Sequence, residues 1–151
     1  MAKTNWVDVD FYGLDEQIHR LRQVRTQLET EMDRVMLRAA LILEAEVKRM
    51  ITNMKLVDTG ALRASVHSFV RNRLTSTEGV VATNMEYAPF LEYGTGQKGQ
   101  AGNHPDVPAD YHYGDSPGIR SYKYMWTAWE NKKDEIENYI DVEFRRLVGN
   151  A

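Results

Sequence analysis

The sequence contains no cysteine, which excludes disulfides and thiolate zinc sites. It has no basic excess either. Against 22 Asp and Glu stand 19 Lys and Arg, and a net charge of −3 argues against a general nucleic-acid binder. Long apolar runs are missing. The richest stretch, Val35 to Val47, is broken by Arg38, Glu44 and Glu46, and Met1 to Tyr12 contains acids. Neither a membrane span nor a signal peptide is therefore expected. Proline is scarce, and three of the four prolines (Pro105, Pro108 and Pro117) fall in one stretch, residues 94–118.

What is present reads as an ordinary globular chain. The length of 151 residues, with 42% hydrophobic and 27% charged residues, predicts a single domain over 1–151. Charge is uneven along it. Residues 1–75 hold 12 basic and 10 acidic residues, whereas residues 76–151 hold 7 and 12. The first 13 residues lack helical periodicity. Trp6 and Phe11 there read equally as anchors of an arm that packs on a neighbour or as part of an edge strand.

Residues 14–54 predict one long helix. Leu14, Ile18, Leu21, Leu28, Met32, Val35, Ala39, Ile42, Val47, Met50 and Met54 recur at steps that place them on one stripe, uninterrupted by proline or glycine. At 1.5 Å per residue such a helix is about 60 Å long, longer than a compact domain of this size is wide, so part of it should find a partner outside its own fold. The string Val57-Asp58-Thr59-Gly60 ends the pattern. Residues 65–74 and 79–84 predict a β-hairpin, with Thr75 to Gly79 as its turn. A short apolar segment, 87–93, precedes a long flexible loop over 94–118 that carries six of the ten glycines. A last helix is expected over 121–148, with Ser121 as N-cap and Gly149 as stop. The fold class is α+β: a long N-terminal helix, a small antiparallel sheet around a hairpin, a long loop, and a C-terminal helix packed on the sheet.

Five groups of residues invite a functional reading. Asp58-Thr59-Gly60 resembles the active-site string of retroviral-type aspartic proteases, in which two such loops share a proton between carboxylates. That fold is nearly all β, and here the string follows a helical pattern, so a plain turn is preferred. There Asp58 would accept backbone N–H bonds and Gly60 would take a positive φ. His104, Asp106, Asp110, His112 and Asp115 cluster in the loop, but their spacing matches no metal motif, and no metal or cofactor is expected. Gly94 to Gly99 lacks the Lys-Ser/Thr pair and preceding strand of a phosphate loop. Arg63, Arg71 and Arg73 would suit a DNA contact, with a solvated strand face as the simpler reading. Tyr111 and Tyr113 in the loop read equally as interface anchors or as packing within the domain.

Two strings carry a family likeness. Asp58, Thr59, Gly60, Leu62 and Ser65 form an Asp-Thr-Gly-x-Leu-x-x-Ser turn, and about 30 residues later come Tyr87, Ala88, Glu92, Gly94 and Thr95. In this order they resemble the minor structural proteins of lambdoid HK-type siphophages, the head–tail joining and tail-completion family. The likeness covers most of residues 30–148. It implies an α+β subunit of the virion that assembles into a ring, hexameric by that likeness, at the neck or the top of the tail. It brings no catalytic residue. Its implied partners are further copies of the chain and the tail-tube and neck proteins. Genomic DNA would pass the lumen without specific binding, and no membrane is involved. In the host cytoplasm such a subunit would await assembly. The rival readings are a cytoplasmic coiled-coil adaptor built on residues 14–54 and the Asp58 protease.

Overall fold

The computed structural model describes residues 14–149. Helix α1, Leu14–Asn53, runs for 40 residues without a break. It ends earlier than Asp58, and by a backbone device that its composition does not announce. Lys55 turns left-handed at φ 55°, its N–H bonds the Thr52 carbonyl at 3.1 Å, and the Leu56 N–H bonds the Ile51 carbonyl at 3.0 Å. This is a Schellman cap, and Leu56 packs beside the core cluster that contains Ile51, the hydrophobic contact such a cap favours.

A short helix, α2 (Ala61–Ser65), follows Gly60, and the hairpin then pairs β1 (His67–Asn72) with β2 (Thr77–Ala82). The strands are antiparallel, with His67 opposite Ala82 and Asn72 opposite Thr77. Strand β1 lies within its expected span of 65–74, two residues shorter at each end, and β2 is shifted two residues ahead of the expected 79–84. At the first, the Ser65 hydroxyl donates to the Leu62 carbonyl at 2.8 Å and closes a helical turn where strand was expected. At the second, Gly79 is not a turn residue. It sits within β2 where the strand crosses α1 so closely that a Cβ would lie 2.7 Å from the Met36 carbonyl oxygen.

Next come α3 (Ala88–Tyr93), α4 (Gly96–Ala101) and α5 (Tyr124–Gly149). The expected structureless stretch 94–118 thus contains a helix. The hairpin and α5 both pack on α1, and Val81 of β2 joins Val47, Met50, Ile51, Leu62, Val66, Ala88, Tyr124 and Ala128 in one core cluster. Polar bonds fix the register. Ser68 donates to Glu44 at 2.6 Å, Asn72 to Asp33 at 3.1 Å, and Asn131 of α5 to Glu46 at 3.0 Å. Glu46 is buried, and the hydrogen bond from Arg49 holds its carboxyl below the ordinary value against the opposing effect of burial.

The packing does not use all of α1. Buried positions begin at Val35, while every residue from Gln17 to Gln27 is exposed. The first turns therefore project from the body, about 20 Å of helix at 1.5 Å per residue. Among the described residues no helix is long and apolar enough to cross a membrane.

Candidate functional site

The two motif strings, distant in sequence, adjoin in space. Leu62 from the first and Ala88 from the second are buried in the same cluster. Residues Asp58 to Leu62 and the Tyr87 and Leu91 side chains line a shared hollow of about 560 Å³. Gly60 has φ 82°, as a turn into α2 requires. Asp58 differs from expectation. It is exposed and makes no hydrogen bond among the described residues, and the Thr59 hydroxyl accepts the Ala61 N–H instead, at 3.3 Å. The Ser65 and Thr83 hydroxyls are bonded at 2.6 Å and link the strings through the hairpin base. Tyr87 precedes α3 and is exposed, while Pro89 occupies the first turn, where the missing N–H costs nothing.

Glu92 is the centre of the second string. Its side chain is buried, and its two oxygens accept three hydrogen bonds. The backbone N–H groups of Met125 and Trp126 donate at 2.8 and 2.9 Å, and His104 Nε2 donates at 2.9 Å. The Asp106 N–H donates to His104 Nδ1 at 3.1 Å, which assigns the ring proton to Nε2. A carboxylate from α3 thus caps α5 across 33 residues of sequence, satisfying amides that a helix start leaves unpaired. Ser121 is not that cap. Its hydroxyl donates to the Glu92 carbonyl at 2.6 Å, Lys123 takes φ 53°, and α5 begins three residues later than expected.

Beyond Glu92 the chain folds on itself through glycines. Thr95 N–H bonds the Ile119 carbonyl at 2.9 Å and Gln97 N–H the Ser116 carbonyl at 2.9 Å. Cβ atoms at Gly94 or Gly118 would lie 2.5 Å from Gly99 Cα and 1.8 Å from the Thr95 oxygen. These glycines let backbone touch backbone. Thr95 also accepts the Ile119 N–H on its hydroxyl at 3.1 Å. Tyr111 and Tyr113 are half-buried in the chain's own aromatic row. Ring centroids lie 5.1 Å apart for Tyr93–Tyr111, 5.2 Å for Tyr111–Tyr113 and 4.8 Å for Tyr93–His104. The Tyr111 hydroxyl donates to the Gly94 carbonyl. Trp6 and Phe11 lie outside the described residues.

The other candidates are dispersed. His104 is buried against Glu92, away from exposed Asp110, His112 and Asp115. Among the described residues no three His, Asp or Glu side chains come together as metal ligands. Arg71 and Arg73 face Glu78 at 3.8 and 3.0 Å, and Arg63 reaches the Thr52 hydroxyl. Asp58 lies between two helices and not in the β framework of a protease. From Val35 on, the hairpin and α5 cover one side of α1, while Leu37 and Leu41 stay exposed on the helix.

Tyr124 shows where sequence reasoning could not reach. Its ring is fully buried and its hydroxyl lacks a hydrogen-bond partner among the described residues. Burial, then the nearby Glu92 carboxylate, pushes its phenol far above the ordinary value. Tyr124→Phe removes an unpaired buried group, so stability should rise by about 1 kcal/mol. Urea unfolding checks this, and a loss of similar size would mean that the hydroxyl is bonded in solution.

The buried polar side chains among the described residues, Glu46, Glu92 and His104, each join one element to another. A family profile described as "Bacteriophage HK97-gp10, putative tail-component" matches residues 14–94, and the chain belongs to this family of phage tail components. The match spans α1, the first motif string, the hairpin and the second string as far as Gly94. No curated protein and no solved structure matches the chain significantly.

Proposed function

We propose that the chain is a ring-forming subunit of a tailed phage, placed at the head–tail junction or the top of the tail, where it completes the tail and joins it to the neck. The observation that carries this reading is the family match over residues 14–94, which covers the long helix, the first motif string and the second as far as Gly94. The exposed start of α1 supports it, because residues 17–27 are all exposed and offer a surface to neighbouring subunits. In this reading the motif residues Asp58, Thr59, Gly60, Leu62, Ser65, Tyr87, Ala88, Glu92, Gly94 and Thr95 shape the subunit, and none is catalytic. Its partners are further copies in a hexamer and the tail-tube and neck proteins, which meet the glycine-rich segment 94–118 and the Tyr111–Tyr113 region. The N-terminal residues Trp6 and Phe11 anchor an arm on a neighbour. Genomic DNA passes through the lumen without specific binding, as a net charge of −3 favours.

Immunogold electron microscopy of induced phage particles tests the reading, with antibody against the full chain on intact virions and isolated tails. Gold at the neck or tail top is the expected result. Abundant particles without label, on intact virions and on isolated tails with exposed ends, would overturn it.

A further inference from the structure

We infer that the groove beside the start of α1 is the seat of a second copy's N-terminal segment, Trp6 to Phe11, which lies in it extended and antiparallel to α1. The inference rests on the ring-forming reading above and names where the arm binds. Leu21, Val24, Leu28 and Met32 of α1 line the groove beside Thr77 of β2, around about 410 Å³. These four residues continue the apolar stripe whose next members, Val35 and Ala39, are buried in the body. Leu21 is 69% exposed and Val24 40%. The stripe therefore runs on past the chain's own packing, with core-type side chains still on it.

Length and pattern point to the occupant. The residues before Leu14 lie outside the described ones. Among them Val7, Val9 and Phe11 alternate with Asp8 and Asp10, so an extended segment carries its apolar side chains on one face. Trp6 to Phe11 spans about 17 Å when extended. Leu21 to Met32 spans about 17 Å along the helix.

Charge sets the direction. Residues 17–27 contain Arg20, Arg22 and Arg25 and no acid, whereas residues 28–34 contain Glu29, Glu31 and Asp33 and one basic residue, Arg34. In the segment, Lys3 comes first and Asp8 and Asp10 come last. Antiparallel seating brings the two aspartates to the Leu21 end, among the arginines, and Lys3 to the Met32 end, among the acids. Parallel seating reverses both matches. Arg25 bonds Glu29 at 2.8 Å within α1, and Arg34 bonds Glu31. Setting these exposed pairs against each other still leaves the Leu21 end basic and the Met32 end acidic.

The tether selects the neighbour. In this register Phe11 lies beside Leu21. Phe11 is three residues from Leu14, a reach of about 11 Å at most. Leu21 is seven residues beyond Leu14, about 10.5 Å along the axis. The chain would also have to reverse direction and step out from the helix by the depth of a side-chain layer, and no length is left for either. A subunit's own segment thus falls short of its own groove, whereas a neighbour's has no such limit. Giving the segment to one neighbour and receiving one from another is a head-to-tail contact, and such contacts close into rings when the rotation allows.

The test uses the full chain, which has no cysteine of its own to interfere. Val9 falls beside Val24 in the proposed register. Chains carrying Val9→Cys alone and Val24→Cys alone, mixed and mildly oxidised, should give a disulfide-linked pair of one of each on a non-reducing gel. A chain carrying both substitutions should give a ladder of linked subunits. Gln23→Cys, which is off the groove, replaces Val24→Cys as the control and should give no pair above background. Leu21→Asp should weaken association by about 30-fold, the scale of an interface hot spot, as read by sedimentation velocity. Because Leu21 is exposed, its circular dichroism spectrum should not change. Val9→Asp should weaken association likewise from the other side of the contact. Three outcomes overturn the proposal. They are a doubly substituted chain that closes on itself as a linked monomer, which would put the segment in its own groove, a mixed-chain yield no higher than the control, or an association indifferent to Leu21→Asp. Failure here is separable from failure of the tail assignment. Labelled tails without the Val9–Val24 link would leave the tail reading standing, and unlabelled particles with the link would do the reverse.

Discussion

Replacing Glu92 with glutamine should lower the stability of the protein by about 3 kcal/mol, although the side chain keeps its shape. The carboxylate accepts from three donors, the Met125 and Trp126 amides and His104 Nε2. An amide side chain retains one acceptor oxygen and turns two N–H donors towards groups that are themselves donors. At least one buried N–H is then left unpaired, which costs about 1–3 kcal/mol, and the charge-assisted bonds to the remaining donors weaken as well. Urea unfolding should show a lower midpoint with an unchanged slope. Hydrogen exchange should show faster exchange at the Met125 to Thr127 amides, with the hairpin amides following only the global change. A shift within about 0.5 kcal/mol, the range of an ordinary surface substitution, would mean that Glu92 does not organise the start of α5. Alanine at the same position is a harsher change, because it also opens a cavity beside Tyr124. Glutamine is therefore the cleaner probe of the hydrogen bonds.

The second large effect is expected at Gly118. An alanine there should cost about 3 kcal/mol or more. Two causes combine. The backbone has φ 62°, a conformation that disfavours side chains, and the added Cβ would lie 1.8 Å from the Thr95 carbonyl oxygen. Backbone cannot step aside as a flexible side chain can, so the 94–96 and 116–119 segments would have to part, with loss of the Thr95–Ile119 and Gln97–Ser116 bonds. Gly114 separates the two causes. It has φ 74° but nothing within 4 Å of an added Cβ, so Gly114→Ala should cost only the conformational part, about 1 kcal/mol. Thermal or urea unfolding of the two variants side by side gives the difference. Equal losses at the two positions would show that the close packing of this segment is not maintained in solution.

Segment 94–118 marks where local reasoning fails. Its glycines and prolines read as a flexible loop, because glycine permits many conformations and the chain's own preference is all that such a reading sees. In the fold the same glycines serve close approach. Gly94, Gly96, Gly99 and Gly118 allow strands of backbone to pass where any side chain would collide, and α4 forms among them. Gly79 repeats the lesson within the hairpin, where a residue typical of turns marks the crossing of β2 over α1. Lys55 shows the converse. Nothing about a lysine announces a left-handed cap, yet the hydrogen bonds of Lys55 and Leu56 end α1 there.

The motif strings were legible as strings, with Gly60 as a turn glycine at positive φ and Glu92 as one of the motif positions. The partner of that glutamate did not follow, because the donors lie on a helix 33 residues away, and no local pattern links Glu92 with the amides of Met125 and Trp126. Ser121 misled for the same reason. A serine before a helical pattern is a good local cap, but a buried carboxylate brought in by tertiary packing satisfies the amides first and moves the helix start to Tyr124.

The sequence by itself determined the long first helix, the hairpin, the last helix and the α+β class, because apolar periodicity and turn chemistry act over a few residues. It also determined that the first helix is longer than the body it serves, since length follows from rise per residue. Only the tertiary structure decided where α1 stops being core and becomes a projecting arm, which carboxylate caps α5, and that the glycine-rich segment is packed backbone against backbone. Those outcomes depend on contacts between residues far apart in the chain, with the hairpin and α5 packed on α1.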